Sequence, residues 1–183
     1  MANDEKKLIE SIRDGETKNF GQLIAQYGPA LMAFVGRIVT RQEDAEDVVQ
    51  ESFVNAYEHL TDFNPAKASL KTWLYRLAYH EALRHLRRQK REVLLPFEVS
   101  DDMPDDLPDT TTAEQLDKAI LLLPSEDQML LQLYYFDQRP LKEIAYITAT
   151  ADSPPERESS RLSSQLYRIR QRLRIILTRM NDE

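Results

Sequence analysis

Apolar side chains recur every three or four residues along most of the chain, which is the spacing of one face of an α-helix. The segment 20–39 predicts a first helix, which Gly28-Pro29 would punctuate. Two further stripes follow, formed by Ala45, Val48, Val49, Phe53, Ala56 and Leu60, then by Leu70, Trp73, Leu74, Leu77 and Ala78. No segment shows the alternation of a half-buried strand. The pattern therefore predicts an all-α fold.

The pattern breaks at about Pro96. The segment 96–112, PFEVSDDMPDDLPDTTT, holds three prolines and six acids, with no base and no apolar periodicity. Such a segment cannot bury enough apolar area to offset the entropy that it would lose on ordering. It predicts an acidic extended linker between one small helical domain at 1–95 and a second one at 113–183.

Helical spacing returns after the linker. Leu116, Ala119, Ile120 and Leu123 form a stripe that Pro124 ends. Ser125 and Gln128 have capping-box spacing and would open a helix over 126–136. Pro140 suits the first turn of a short helix over 141–148. Ser153-Pro-Pro-Glu156 predicts that a last helix starts near Pro154, and its apolar positions are Leu162, Leu166, Ile169, Leu173 and Ile176.

Composition excludes several classes of protein. The chain has 183 residues, a formal net charge of −7 and no cysteine, so neither disulfides nor thiolate zinc sites are expected. No apolar stretch reaches membrane-spanning length, and the charged start lacks a secretory signal. We therefore expect a cytoplasmic protein without membrane insertion. The three histidines lack metal-ligand spacing and no Gly-rich phosphate loop occurs, so no catalytic residue, metal or cofactor is predicted.

One predicted helix concentrates positive charge in this acidic chain. Residues 84–91 contain five Lys or Arg and no acid. Trp73, Arg76, His80, Arg84, Arg87 and Arg91 fall within one sector at 100° per residue. An aromatic surface suits stacked bases and cations suit phosphates, so this face fits single-stranded nucleic acid. The structural alternative is a core tryptophan beside a solvated basic face.

Two other faces have both a structural and a functional interpretation. The side of the second helix opposite its apolar stripe is polar and carries Asp44, Asp47, Glu51 and Asn55. This face is either solvated or a surface that binds a basic partner. The short helix at 141–148 and the long one after it form a helix-turn-helix candidate. Its Arg161, Gln165, Arg168 and Arg172 share a face that would contact DNA, or would be the charged exterior of a helical hairpin.

Three motifs together resemble a known family. They are DAEDVVQESFVNAYEHL, then SLKTWLYRLAYHEALRHLRRQKR, then LLLPSEDQMLLQLYYFDQRPLKEIA. In this order they are similar to bacterial RNA polymerase sigma factors of the extracytoplasmic-function (ECF) group. The resemblance covers nearly the whole chain. It implies that 1–95 is sigma domain two and 113–183 is sigma domain four, in a non-enzymatic subunit that binds core RNA polymerase and directs it to promoters.

The resemblance also implies roles for individual residues. The polymerase-binding set is Asp44, Asp47, Gln50, Glu51 and Asn55. The set for the melted −10 element is Asn64, Lys67, Trp73, Arg76, His80, Arg84, Arg87, Arg88 and Arg91, with 62–69 as the loop that captures a flipped base. The set for the duplex −35 element is Arg157, Arg161, Ser164, Gln165, Arg168 and Arg172. An anti-sigma factor is a further implied partner, and the linker would cross the polymerase cleft.

The chain departs from the family at three places. The family often has Asn where His80 stands and Asp where Arg84 stands, so Arg84 makes the DNA face more basic. The connection ATADSPPERE replaces a short turn before the last helix. Two other functions compete with the sigma interpretation: a helix-turn-helix regulator that acts without polymerase, and a helical protein-interaction module.

Overall fold

The computed structural model describes residues 2–89, 112–150 and 155–182, and leaves the side chains of 2–5, 17, 156–159 and 182 undescribed. Within these ranges the regular structure is helical and no strand occurs, which confirms the all-α prediction. The described residues form two compact units: one comprises those up to Leu86 together with Tyr146–Thr148, and the other comprises the rest, from Arg87 onward. The predicted linker at 96–112 lies outside the described residues except for Thr112. The domain bounds at 95 and 113 stay a prediction.

The first unit is built from four helices: α1 (Ala2–Arg13), α2 (Phe20–Gly36), α3 (Gln42–Glu58) and α4 (Leu70–Gln89), whose last three residues belong to the second unit. Helix α1 was not predicted, because it carries only a few apolar positions. Two of them, Ile9 and Ile12, are nevertheless buried. Short 3₁₀ turns at Thr17–Asn19 and Leu60–Asp62 make two of the connections.

Apolar burial confirms both predicted stripes, with Leu77 of the second half-buried and the other members buried. The expected break at Gly28-Pro29 is wrong, because α2 continues through Pro29 to Gly36. Proline removes one backbone hydrogen bond of the helix. Tyr27 and Leu31, on either side of it, are both buried, and this tertiary burial keeps the helix continuous.

Aromatic rings fill the core of this unit. Phe20 meets Phe53 with ring centroids 6.3 Å apart, which joins α2 to α3. Phe34 and Tyr75 lie 5.1 Å apart and join α2 to α4. The three long helices are therefore held by shared aromatic contacts.

The second unit contains α5 (Ala113–Leu121), α6 (Ser125–Leu131), α7 (Leu141–Thr148) and α8 (Pro155–Asp182). A π-helical segment, Gln132–Phe136, continues α6, so the helix predicted over 126–136 is present with a wider last turn. Thr112 and Gln115 form a capping box at the start of α5, which the sequence interpretation had missed.

The capping box predicted at Ser125 and Gln128 is wrong. Pro124 occupies the cap position of α6, and no side chain caps that end. The Gln128 amide instead donates to the carbonyl oxygens of Leu121 (3.3 Å) and Leu123 (2.7 Å). It thereby satisfies carbonyl groups that the end of α5 leaves without helical partners.

The predicted helix-turn-helix is confirmed in its elements. Gln138 has a φ of +49° in the turn before α7, and the Arg139 N–H donates to the Leu133 carbonyl at 2.9 Å. Helix α8 begins at Pro155, next to the start predicted near Pro154. The proposed cap, Ser153, lies outside the described residues, as does Pro154. All five predicted apolar positions of α8 are buried.

Candidate nucleic-acid and protein interfaces

The five residues assigned to polymerase binding fall into two groups. Asp47, Gln50 and Glu51 are exposed on α3, whereas Asp44 and Asn55 are half-buried. The Asp44 carboxylate lies 3.6 Å from Nε2 of His85 on α4. Asp44 and Asn55 therefore face α4 more than solvent, and Asp47, Gln50 and Glu51 are left as the outward polar positions.

An ion-pair network joins α3 to α4. The Glu81 side chain is buried, accepts a hydrogen bond from the Asn55 amide at 3.4 Å and pairs with Arg84. An Arg84 guanidinium nitrogen also lies 3.7 Å from a carboxylate oxygen of Glu51. Arg84, assigned to DNA, is thus shared between two carboxylates, one of which was assigned to polymerase.

Exposed apolar side chains continue the outward line of α3. Val54 and Tyr57 are 50% and 45% exposed and follow Gln50 at helical spacing, while Ile24 of α2 is 43% exposed. The Tyr57 ring meets the edge of Phe20 at 5.2 Å. The sequence interpretation missed these three residues. Their signal was a second line of apolar positions on helices whose buried stripe was already complete.

The basic face of α4 is smaller than predicted. Trp73 is only 6% exposed and its ring lies 5.4 Å from that of Phe63, so it is a core residue, as the structural alternative held. Arg76 and His80 are half-buried, and Arg84, Arg87 and Arg88 are exposed. Arg91 lies outside the described residues. The exposed cations therefore lie toward the C-terminal end of the helix.

The loop assigned to base capture is ordered by its own hydrogen bonds. Asn64 and Lys67 are exposed, and the Asn64 side-chain oxygen accepts from the Ala66 N–H at 2.9 Å. Ser69 accepts from the Thr72 N–H at 3.1 Å and caps α4. Arg13 of α1 donates to the Phe63 carbonyl at the start of this loop, and no local pattern in the sequence predicts that contact.

The residues assigned to the −35 element are also divided. Arg161, Ser164 and Arg168 are exposed on α8, and the side chain of Arg157 lies outside the described residues. Gln165 donates to Asp127 of α6 at 3.0 Å, and Arg172 donates to the other oxygen of the same carboxylate. Those two contacts were not predicted.

Asp127 is only 4% exposed, and both of its carboxylate oxygens accept hydrogen bonds from α8. Buried carboxylates need such donors, because an unpaired charge is costly away from water. Gln165 and Arg172 therefore hold α6 and α8 together in this structure, whatever else they contact.

Comparison with known proteins identifies the family. A family profile described as Sigma-70 region 2 matches residues 23–92. The ECF RNA polymerase sigma factor SigM of Bacillus subtilis is 31% identical over 149 residues, which cover 76% of this chain and 83% of that protein. The ECF RNA polymerase sigma factor SigF of Caulobacter vibrioides is 32% identical over 128 residues, covering 69% and 71%.

The chain belongs to the ECF RNA polymerase sigma factors. It is accordingly a subunit that binds core RNA polymerase and directs promoter-specific initiation, which decides against a regulator acting without polymerase or a simple interaction module. The family is not one of enzymes.

The fold agrees with this family. The sigma factor RpoE, solved in complex with the anti-sigma factor NepR from Bartonella quintana, is similar with a TM-score of 0.59 at 23% identity, over 88% of this chain and 98% of that one. None of the helices in the described part of this sigma factor is long and apolar enough to cross a membrane. Within the same residues, no cluster of His, Asp and Glu side chains is placed to hold a metal ion.

Replacing Asp127 with Ala should lower the free energy of unfolding by about 1–3 kcal/mol, because the Gln165 amide and the Arg172 guanidinium lose their acceptor. Urea unfolding followed by circular dichroism measures the change. The control is Arg168→Ala on the same helix, whose exposed side chain should change stability by less than about 0.5 kcal/mol. Equal effects of the two substitutions would contradict a structural role for Asp127.

Proposed function

We propose that this sigma factor divides its contacts among three surfaces. The outward line of α3 binds core polymerase, the loop 62–69 with the end of α4 binds the melted −10 strand, and α8 binds the −35 duplex. The observation that carries the proposal is the separation of charge between two neighbouring helices, since α3 exposes acids and α4 exposes arginines. Each surface then suits a partner of the opposite sign.

The polymerase surface combines an apolar centre with a polar edge. Val54, Tyr57 and Ile24 are exposed apolar side chains, and Asp47 with Gln50 extends the same line of α3. Stable interfaces commonly bury apolar and aromatic residues at the centre, with polar residues around them. The acids would steer a basic partner and fix its register, while the apolar side chains would supply most of the affinity.

Reversing the charge of the outward acid with Asp47→Lys should weaken binding to core polymerase by roughly tenfold while leaving the helical content unchanged, because a rim charge would then oppose a basic partner. Combining it with Tyr57→Ala should weaken binding further. Affinity can be measured by biolayer interferometry with immobilised core.

The matched control is Glu10→Lys, an equal charge change on the exposed side of α1. It should bind core as the parent does. If Asp47→Lys binds core as tightly as Glu10→Lys, then the acids of α3 are only a solvated surface.

The DNA side of α4 depends chiefly on Arg87 and Arg88, which are both exposed. Arg87 pairs with Glu126, and both of these side chains are open to solvent, which weakens such a pair. Arg84 is instead shared between two carboxylates, one of them buried, and is partly neutralised. Cations that approach phosphates release condensed counterions, so binding weakens as salt rises. We expect Arg87 and Arg88 to contribute more of this salt dependence than Arg84.

Replacing both Arg87 and Arg88 with Ala should reduce open-complex formation and lower the salt slope of single-strand binding by about 0.7 for each phosphate that the variant no longer neutralises. Permanganate footprinting of the holoenzyme at a promoter measures opening, and the affinity for a single-stranded −10 oligonucleotide over a range of salt concentrations gives the slope. Lys71→Ala provides the control, because Lys71 is exposed on the opposite side of α4. A footprint unchanged from that of the parent would exclude the proposed role.

The −35 surface would consist of the exposed residues of α8 near its start. Arg161, Ser164 and Arg168 lie about one helical turn apart and are all exposed. Arginine and serine side chains reach base edges and phosphates in a major groove. Gln165 and Arg172 are engaged by Asp127, so we assign them to the support of α8 and not to base contacts.

Arg168→Ala should weaken binding of the holoenzyme to a −35 duplex by roughly five- to fiftyfold, as expected when one phosphate or base is no longer bound. Fluorescence anisotropy with a labelled duplex measures the affinity. Arg179→Ala removes the same charge from the exposed far end of α8 and should have no effect. Equal losses of duplex affinity for Arg168→Ala and Arg179→Ala would show that binding depends on the total charge of α8 and not on the position of Arg168.

We further propose that the protein acts in the cytoplasm, has no catalytic activity of its own, and has an anti-sigma factor as a partner. RpoE is solved in complex with the anti-sigma factor NepR, and the fold of the two sigma factors is similar. Ile24, Val54 and Tyr57 supply an exposed apolar surface that such an inhibitor would cover. A partner at this surface would compete directly with core polymerase.

A further inference from the structure

The guanidinium of Arg13 binds the main chain at the start of the loop 62–69. Its Nη2 donates to the carbonyl oxygens of Leu60 at 2.8 Å and Phe63 at 2.9 Å, with a longer contact to Thr61 at 3.4 Å. Its Nε donates to the same Leu60 oxygen at 3.3 Å. One side chain from α1 therefore donates hydrogen bonds to several carbonyl groups of a main-chain segment that lies about fifty positions later in the sequence.

Arginine suits this position for two reasons. The 3₁₀ turn Leu60–Asp62 is short: from the main chain the Leu60 carbonyl accepts only the long 3.3 Å bond from the Phe63 N–H, and the chain after it does not continue as a helix that would supply donors to the later carbonyl groups. The side chains of Leu60 and Phe63 are buried, which places their carbonyl groups at the edge of the core. A planar group with several fixed donors satisfies more than one such carbonyl at once, and a lysine ammonium lacks that geometry.

The Arg13 contact lies at one end of the loop assigned to base capture. Asn64 follows Phe63 directly, and its side chain and main chain order the turn through Ala66 and Lys67. The other end is held by Ser69, whose side-chain hydroxyl oxygen accepts a hydrogen bond from the Thr72 main-chain N–H and so caps α4. Arg13 and Ser69 thus fix the two ends of a short loop whose middle is exposed.

We infer that Arg13 is a positioning residue for capture of the −10 strand, an inference that rests on the proposed role of the loop. Arg13 touches no base itself. It holds the loop in one conformation before DNA arrives, so less conformational entropy is lost on binding. Helix α1 then has a function beyond covering the core, because it supplies the side chain that shapes the DNA-binding loop.

Two other roles for Arg13 make different predictions. If Arg13 contacted a phosphate directly, its removal would lower the salt slope of strand binding. If it only attached α1 to the core, its removal would lower stability without changing strand affinity at temperatures well below unfolding. A positioning role predicts that the Arg13 variant binds the strand more weakly with an unchanged salt slope. It also predicts that this loss disappears when the loop is already altered at Asn64.

The experiment compares Arg13→Ala, Asn64→Ala and the double variant in holoenzyme assembled with core polymerase. Affinity for a single-stranded −10 oligonucleotide is measured over a range of salt, with core affinity and thermal unfolding measured in parallel. Lys6→Ala, which removes an exposed cation of α1 that pairs with Glu10 on the same helix, is the matched control.

Arg13→Ala should bind the strand about tenfold more weakly, because the loop must then be ordered on binding. Core affinity and the salt slope should stay as in the parent. The double variant should bind no more weakly than Asn64→Ala, because both changes act on the same loop. Lys6→Ala should match the parent in every measurement.

Three results would overturn the inference. They are parental strand affinity for Arg13→Ala, fully additive losses in the double variant, or a salt slope lowered by about 0.7, the value for one phosphate that is no longer neutralised. If Asn64→Ala itself binds normally, the proposed role of the loop has failed and the inference fails with it. If Asn64→Ala is impaired and Arg13→Ala is not, only the inference has failed.

Arg13→Lys keeps the comparison informative where the alanine variant does not fold. The ammonium retains the charge but not the fork that joins the Leu60 and Phe63 carbonyls. Arg13→Lys should therefore weaken strand binding less than Arg13→Ala does, again without a change in the salt slope. Full parental affinity in Arg13→Lys would show that positive charge alone is sufficient, which contradicts positioning by the fork.

Discussion

Every surface assigned in the N-terminal unit depends on the buried aromatic side chains that pack α2, α3 and α4 against one another. Rings such as Phe53, Tyr75 and Trp73 are buried there. Burying one aromatic side chain contributes several kcal/mol, whereas an exposed ion pair contributes about 0–1 kcal/mol. The buried aromatic residues therefore decide which side of each helix faces the core. The charged residues occupy the opposite sides, which face solvent. Asp47 on α3 and Arg88 on α4 are exposed for this reason, whatever they bind.

The two functional faces of this unit are not independent. Arg84 lies between Glu51 of α3 and the buried Glu81 of its own helix, and Asn55 also donates to Glu81. A residue of the polymerase side and a residue of the DNA side thus share one small network. Through Arg84, the exposed carboxylate of Glu51 and the buried carboxylate of Glu81 share one cation.

Much of the fold follows from sequence periodicity, and much of the site does not. The stripes of α3, α4 and α8 were predicted correctly because each has apolar residues at regular helical spacing over several turns. Helix α1 was missed because its few apolar positions give a weak pattern, and the break at Pro29 was wrong because burial on both sides outweighs one lost hydrogen bond.

Periodicity places a polar residue on a face but does not say whether a neighbouring helix covers that face. Gln165 and Arg172 share a sector with Arg168, yet only the first two meet Asp127 of α6. That pairing bridges helices far apart in sequence, so it depends on tertiary packing and has no local signal. The same limit explains why Arg13 could not be anticipated: its partners are main-chain carbonyls, which every residue possesses.

The engagement of Gln165 and Arg172 by Asp127 also bears on how promoter preference diverges among descendants of this gene. A substitution at either position acts first on the folded state, so selection for stability opposes it before any new DNA sequence is favoured. Exposed positions such as Ser164 and Arg168 carry no such penalty. Substitutions that alter the set of target promoters should therefore accumulate at a few exposed positions of α8. The residues that contact Asp127 should change together or not at all.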